Sequence, residues 1–530
     1  MKKKFLLAGF SVFAIVGMLF AMFPQDSQAI PPFARKYKTS CTTCHWGTFP
    51  RLNAFGKAFY ASGLRMPGGG DEVFIKDEPV AMGASAWSKL FPKAVWPGEI
   101  PGLPPIGVLS KFNFNVTRER PQDARDTQTP GDGGSPQRSF DSEFSGFNDL
   151  EVLVGATFGE TLSFFYAGMW AESERAYVNY TPFINGEQGL VNLRIGKLDL
   201  RSNPMSNHRK QIRNRNYLMN EMPMIAAGNF FGWHPGHNGI EFWGSKNGPG
   251  GKGGLEWAVS IVNGAEGDGS GHLVGGGDAG FILANTNAEG TGLFTEINNG
   301  KDFSVMVSYK IGGMGVLGES SVDDSLVAKE NWQDNSVKIK GYYYQGTTGS
   351  IISADGVSPG NPLLGTLANG TAGTANSIWV DDANHFKRFG VVVTANWWNF
   401  EFLGAASFME DDITGDIIYG VAGGLPMESG DSFDTSIYTG EVNWVALPWL
   451  IPSARIEHVD PDYDVRDLES FTRYVFEARL ITRANINLNV GGSFSNYLDS
   501  QTGVGGVDVP KFDLNQAADD AFWIQTEVAF

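Results

Sequence analysis

Cysteine is scarce in this chain, whose 530 residues include only two, Cys41 and Cys44. So few cysteines exclude a disulfide framework, and a tetrahedral zinc site would need further ligands. A redox CxxC pair normally lies in a thioredoxin-like βαβ setting, which this sequence lacks. The stretch Cys41-Thr42-Thr43-Cys44-His45 has instead the spacing of a haem c attachment site, where two thiols bind the haem covalently and the adjacent imidazole binds the iron. The alternative is a chance CxxCH in an exported protein, closed as a disulfide.

Basic residues are also few, with 40 Lys and Arg against 58 Asp and Glu and a formal net charge of −18. A negative field of this size repels nucleic acid and attracts cations. We therefore expect no nucleic-acid partner.

Long apolar runs are confined to residues 5–23. Lys2, Lys3 and Lys4 precede this run, and Ser27-Gln28-Ala29 follows it, which predicts a signal peptide over residues 1–29. An uncleaved membrane anchor is the alternative. Export agrees with haem c, which is attached outside the cytoplasm. Since no later run resembles a transmembrane helix, a membrane location requires a β-barrel.

Strand patterns are abundant, in a chain with 68 glycines and 13% aromatic residues. Val305, Val307, Tyr309 and Ile311 alternate with polar or small neighbours, and further such runs continue to the end of the chain. Alternation alone fits either a soluble sandwich or an outer-membrane barrel, whose apolar face meets lipid.

Three features favour the barrel. Connections include both tight junctions and long polar stretches, as in barrels with short periplasmic turns and long outer loops. Tryptophans lie near strand ends, where an interfacial girdle forms. The last strand, residues 522–530, ends on an aromatic residue, as outer-membrane barrels do. The tight junctions are residues 397–399, 447–449 and 482–484, the long stretches are 312–333 and 346–384, and the tryptophans are Trp397, Trp398, Trp444 and Trp449.

We predict an all-β fold, a transmembrane antiparallel barrel of about 16 strands in the outer membrane, with a short helical N-terminal haem c segment. The even number puts both barrel ends in the periplasm. The strands are expected to begin near Ile106, Phe147, Leu162, Leu190, Tyr217, Gly239, Leu255, Phe303, Ser336, Phe386, Phe400, Asp434, Ile451, Phe471, Ala484 and Ala521.

The predicted regions are a signal peptide (1–29), a haem c attachment segment (30–66), a Pro/Gly-rich linker that can thread the lumen (67–105) and the barrel (106–530). Leu52, Phe55 and Phe59 form one stripe of a short helix that covers either a haem face or protein. So short a cytochrome segment is marginal as an independent core, so we expect the barrel lumen to help enclose the haem.

His45 is the predicted proximal ligand of one covalent haem c, bound through Cys41 and Cys44. Met66 and Met82 are candidates for the distal ligand, and Met ligation would raise the potential. Histidines of the barrel remain possible ligands: His208, His234, His237, His272, His385 and His458.

Two charged stretches have more than one interpretation. Asp460, Asp462 and Asp464 place oxygen ligands at alternate positions, as for Ca²⁺, or form a solvated acidic loop. A basic stretch fits a lumen constriction, a haem-propionate site or a lipopolysaccharide site; it comprises Arg201, Arg209, Lys210, Arg213 and Arg215.

The haem segment resembles a known family. Residues 31–35 (PPFAR) precede the CxxCH motif, and Pro50, Leu52, the run 55–57 (FGK), Phe59 and Gly63 follow it. This pattern resembles the fused cytochrome–porins of iron-oxidising bacteria, in which a monohaem c-type cytochrome is joined to an outer-membrane porin of 16 predicted strands. The resemblance is specific over residues 31–63 and architectural beyond them.

The resemblance implies an Fe(II)-oxidising cytochrome that takes electrons from extracellular Fe(II) and passes them to a periplasmic c-type cytochrome or other electron carrier. The alternatives are a conduit that reduces an external acceptor, and a passive porin whose haem is structural or sensory.

Overall fold

The structure is a computed structural model. It describes residues 33, 37, 39, 43–45, 52–61, 64, 80–81, 99–100, 106–118, 140–158, 161–169, 172–184, 187–188, 190–205, 217–221, 233, 236–263, 301–316, 333–353, 377–413, 418–419, 426–427, 432–463, 470–483, 486–497 and 520–529.

Sixteen antiparallel strands form a closed barrel, which confirms the predicted fold class. The last strand pairs with the first, with Ile524 opposite Phe114. The strands are β1 (Ile106–Arg118), β2 (Phe140–Phe158), β3 (Leu162–Met169), β4 (Glu172–Tyr180), β5 (Asn192–Leu198), β6 (His237–Asn247), β7 (Gly254–Val262), β8 (Asp302–Gly312), β9 (Ser336–Ser353), β10 (Ser377–Trp397), β11 (Phe400–Ile413), β12 (Ser432–Trp444), β13 (Leu450–Tyr463), β14 (Phe471–Arg483), β15 (Ile486–Tyr497) and β16 (Asp520–Ala529).

Side chains alternate between the two faces of the wall. On β8, Val307, Tyr309 and Ile311 are about half exposed, whereas Ser304, Ser308 and Lys310 are buried. A closed barrel whose outer face is apolar and whose inner face is polar is built for lipid, not for a soluble sandwich. The protein is therefore an outer-membrane barrel of the porin-like type, in the location that the sequence predicts.

The two rims of the barrel differ in their connections. The predicted tight junctions are short turns at one rim, after β10, β12 and β14, and the barrel also starts and ends there. Short turns and both ends identify this rim as periplasmic. Trp397, Trp398, Trp444 and Trp449 project from it into the surroundings, as an interfacial girdle requires.

The expectation for the two long polar stretches was partly wrong. Ser336 pairs with Asn396, so the connection after Gly312 lies at the periplasmic rim and is not an outer loop. At the other rim, β9 continues to Ser353 and β10 starts at Ser377, which shortens the predicted 346–384 connection.

One predicted strand is wrong and one was missed. Residues from Tyr217 form no strand; a short helix, α2 (Leu218–Glu221), follows and is buried inside the barrel. The missing strand is β4, whose first half, Glu172 to Arg175, is too charged to show an apolar alternation. The two errors cancel in the strand count.

The N-terminal helix is α1 (Ala54–Ala61). Three two-stranded sheets lie outside the barrel ladder: Val80–Ala81 with Glu99–Ile100, Phe183–Ile184 with Glu187–Gln188, and Ile418–Tyr419 with Pro426–Met427. In the described part of the chain, every helix is too short or too polar to cross a bilayer.

Candidate functional site

Cys44 and His45 lie on a turn that is tied back to the start of α1. His45 forms an isolated antiparallel bridge with Leu52, and the Asn53 amide donates to the Cys44 carbonyl oxygen at 2.9 Å. Cys44 is partly buried. The turn therefore presents a thiol and an imidazole side by side, the donor pair that a covalent haem needs at this end of the motif.

Gly56 lets α1 approach this turn closely. A Cβ at Gly56 would lie 1.9 Å from the Cys44 carbonyl oxygen and 2.8 Å from its carbon. These are backbone atoms that cannot rotate away, so any larger residue would push α1 off the turn. This close approach explains why the Phe55-Gly56-Lys57 stretch has a glycine at its centre.

Aromatic rings cover the buried side of α1. The Phe59 ring packs edge-on against Phe33 at 5.3 Å and against Tyr37 at 5.6 Å. Phe55 and Phe59 are both buried, so the predicted apolar stripe packs at least partly on protein. These rings form one continuous apolar cluster with the barrel wall, and Cys44 packs against it.

The described residues of the predicted haem-attachment segment (33, 37, 39, 43–45, 52–61 and 64) lie inside the lumen. Tyr177 of β4 donates a hydrogen bond to the Tyr60 hydroxyl at 2.6 Å, and the Tyr60 ring meets Phe165 of β3 at 5.8 Å. Phe33 lies over Gly155 of β2, where a Cβ would stand 2.4 Å from the ring. These three wall residues are each three positions from the periplasmic ends of their strands, so the segment occupies the periplasmic half of the lumen.

Paired charges lie behind this contact surface. Arg175 bonds Glu151 at 2.9 Å and lies 5.4 Å from the centre of the Phe165 ring. Arg194 lies 5.1 Å from the centre of the Tyr177 ring and forms a buried ion pair with Glu241. Each aromatic ring that supports the segment is thus backed by a guanidinium, an arrangement that stabilises both groups.

The described residues of the connection from β5 to β6 (199–205, 217–221, 233 and 236), here called the lumen-crossing segment, fold into the barrel. Its Arg201 bonds Glu256 of β7 at 2.7 Å, and the Arg201 amide donates to Glu241 at 3.0 Å. The guanidinium stacks 3.9 Å from the Trp243 ring centre. Arg201 was the first residue of the predicted basic stretch, and the structure places it in the lumen.

The same segment reaches the far wall. The Tyr217 hydroxyl donates to Glu441 of β12 at 2.8 Å, and the Leu218 amide donates to Glu457 of β13 at 2.8 Å. Arg455 lies 4.3 Å from the Tyr217 ring centre. Strands β12 and β13 lie six and seven positions from β6 in the ring of sixteen, so the segment spans nearly the full lumen.

The described inner wall is largely withdrawn from solvent. Arg473 and Glu457 are 0% exposed and joined at 2.9 Å, and Arg479 bonds Glu527 at 2.9 Å. A barrel of this strand number would otherwise enclose a water-filled channel. Buried charges that neutralise each other indicate instead that the lumen is filled around these two ion pairs.

Several predicted site residues lie outside the described residues: Cys41, Met66, Met82, His208, His234, His272, Arg209, Lys210, Arg213, Arg215 and Asp464. Their roles stay predictions. The described histidines are divided among three places. His237 is buried in the lumen beside Tyr344, His458 bonds Thr472 at 2.9 Å, and His385 lies on the outer wall.

Asp460 and Asp462 lie at the outer end of β13 and are exposed. Across the described residues, no three His, Cys, Asp or Glu side chains converge in a way that could hold a metal ion. Asp464, the third predicted oxygen ligand, lies outside the described residues, so the calcium site and the solvated acidic loop both stay predictions.

Comparison with known proteins finds no matching family model and no matching curated protein. Solved barrels align with 80% of this chain. OmpT of Vibrio cholerae is 8% identical, with 97% of that chain covered and a TM-score of 0.44. The anion-selective porin of Comamonas acidovorans is 10% identical, with 98% covered and a TM-score of 0.42. The channel DcaP of Acinetobacter baumannii is also 10% identical, with 96% covered and a TM-score of 0.40.

Proposed function

We propose that this protein is an outer-membrane electron conduit: a monohaem c-type cytochrome fused to a porin-like barrel. It oxidises extracellular Fe(II) and passes electrons to a periplasmic c-type cytochrome or another carrier. The observation that carries the proposal is the position of Cys44, His45 and α1 inside the lumen, held by Tyr60, Phe33 and their wall partners.

The residues present fit a covalent haem. Cys44 and His45 share one turn, and Cys44 adjoins the aromatic cluster of α1 and the wall, which offers the apolar surface that a porphyrin prefers. Cys41 and Cys44 would hold the haem, and His45 would bind its iron, which supplies the one-electron chemistry. Met66 or Met82 remains the predicted distal ligand.

The protein would position the haem inside the barrel and shield it from water. One electron leaves each Fe(II), which becomes Fe(III), and reaches the periplasmic carrier. The apolar band of such a barrel is about 25 Å tall, so a redox group inside the lumen shortens the distance that the electron must cross. The filled lumen suits a path for electrons better than a path for solutes. Fe(III), which is insoluble near neutral pH, then stays outside the cell.

The test is anaerobic spectroscopy of the purified holoprotein. Adding Fe(II) should produce the α-band of reduced haem c. His45→Ala should abolish this change while the barrel still assembles. His458→Ala, a histidine change on the wall bonded to Thr472, is the matched control and should behave as wild type. Wild-type haem that stays oxidised with Fe(II) at the working pH would refute iron oxidation.

Two alternatives predict different results. A conduit that reduces an external acceptor would have a strongly negative haem potential. A passive porin with a structural or sensory haem would conduct ions in planar bilayers and show no reduction by Fe(II). Redox titration and single-channel recording therefore separate the three functions.

A further inference from the structure

Asn53 holds the two peptide groups that carry the haem-binding side chains. Its side-chain Nδ2 donates to the Thr43 carbonyl oxygen at 3.0 Å, and its main-chain amide donates to the Cys44 carbonyl oxygen at 2.9 Å. These carbonyls belong to the peptides that lead into Cys44 and His45. Fixing both peptide planes fixes the directions in which the two side chains leave the backbone.

The remaining polar atom of the Asn53 side chain also forms a hydrogen bond. Its Oδ1 accepts the Gly56 amide at 2.8 Å, the bond of an N-terminal helix cap. Asn53 is 1% exposed. The motif turn and α1 are thus joined through one buried side chain, and a wrong residue there leaves buried backbone groups without partners.

The loop is closed from its other side as well. The Thr39 and Thr43 hydroxyls lie 2.6 Å apart, and the bridge between His45 and Leu52 runs beside Asn53. The Asn53 side chain is therefore one of several contacts that hold the motif, and it is the one that also caps α1.

We infer that Asn53 is the positioning residue of the haem site, acting through the peptides of Thr43 and Cys44 to set the orientation of His45 on the iron. This inference rests on the proposed haem c function. It assigns no chemistry to Asn53 itself, since its polar atoms are engaged with the backbone.

The test separates the two bonding roles of the side chain. Asn53→Asp and Asn53→Ser both keep an oxygen that can cap α1, and both remove the Nδ2 group that donates to the Thr43 carbonyl oxygen. Asp also adds a negative charge, whereas Ser does not. The matched control is Asn399→Asp at the periplasmic rim, which loses the same type of bond, from Nδ2 to the Val445 carbonyl at 3.1 Å.

Full-length holoproteins are compared by haem content, by electron paramagnetic resonance of the ferric haem and by redox titration. We expect a single low-spin signal in wild type and in Asn399→Asp. Both Asn53 variants should show a broadened or split signal. They should also shift the reduction potential in the same direction by about 30 mV or more, the equivalent of a threefold change for one electron. Loss of covalent haem in both variants, with an intact barrel, would support the same role.

Asn53 variants with the signal and potential of wild type would overturn the inference, as would a shift confined to Asn53→Asp, which reflects charge alone. Wild-type protein without covalent haem would instead refute the proposed function, and haem content distinguishes the two failures.

Discussion

Gly155 offers the sharpest test of the lumenal position of the haem-attachment segment. A Cβ at Gly155 would stand 2.4 Å from Phe33 Cζ and 3.1 Å from Leu64 Cδ1, well inside ordinary contact distance. Gly155→Val adds this Cβ and two methyl groups to the inner wall. Because Phe33 is itself packed against Phe59, the ring cannot withdraw freely. Overpacking of this kind costs about 1–3 kcal/mol.

This free-energy cost should weaken the packing of the N-terminal segment on the wall and should not destabilise the barrel, because valine suits a strand better than glycine does. A loss of about 1–3 kcal/mol raises the undocked fraction of the segment by about 5- to 150-fold. Hydrogen exchange of peptides from residues 33–64 measures this fraction, and it should accelerate by that factor in Gly155→Val.

Gly404→Val is the matched control. Gly404 lies on the lipid-facing side of β11, where a Cβ meets nothing within 4 Å. The control should leave exchange in residues 33–64 as in wild type and keep the barrel intact. If both variants exchange at the wild-type rate, the segment does not pack on β2, and its assignment to the lumen is wrong.

Three further changes test neighbouring contacts. Tyr177→Phe removes the hydroxyl bonded to Tyr60 and keeps the ring, so exchange of the segment should rise about two- to tenfold, the value of one net hydrogen bond; no rise would show that this bond contributes nothing to docking. Glu457→Gln weakens the anchor of the lumen-crossing segment and leaves Arg455 and Arg473, both buried and paired with Glu457, without their carboxylate, a change worth about 3–5 kcal/mol. Ion conductance in planar bilayers, which we expect to be low in wild type, should increase, and an unchanged low value would count against the segment as the plug. Gly56→Ala places a Cβ 1.9 Å from the Cys44 carbonyl oxygen, so covalent haem per folded barrel should fall, whereas undiminished haem would contradict the close approach.

The barrel could be predicted because its rule is local. Lipid outside and polar groups inside impose a two-residue period on each strand, which is visible in runs such as Val305 to Ile311. Tryptophans at the periplasmic rim and short turns mark the strand ends for a similar local reason. The two-residue period stops predicting strands where apolar residues face the lumen instead of lipid. Tyr217, Leu218 and Met219 are apolar because the lumen buries them, and in sequence they resemble a lipid-facing strand.

The candidate site shows the same division. The sequence predicts a haem site at Cys41, Cys44 and His45 because covalent attachment and iron binding would require those residue types at that spacing. The hydrogen bond between Tyr60 and Tyr177 joins residues 117 positions apart, and no local sequence pattern predicts this contact. Gly155 is the one wall residue here with a local sign that sequence reasoning missed, since a glycine inside a strand often marks a close approach.

The sequence by itself predicted the haem motif and the export signal and determined the alternation that closes into a barrel, because each depends on neighbours within a few residues. Only the tertiary structure decided what fills the lumen. The haem-attachment segment and the lumen-crossing segment are held by buried pairs such as Tyr60 with Tyr177 and Tyr217 with Glu441. Such pairs form only when the closed wall brings distant strands to face one interior, so their physical cause lies in the closure of the barrel.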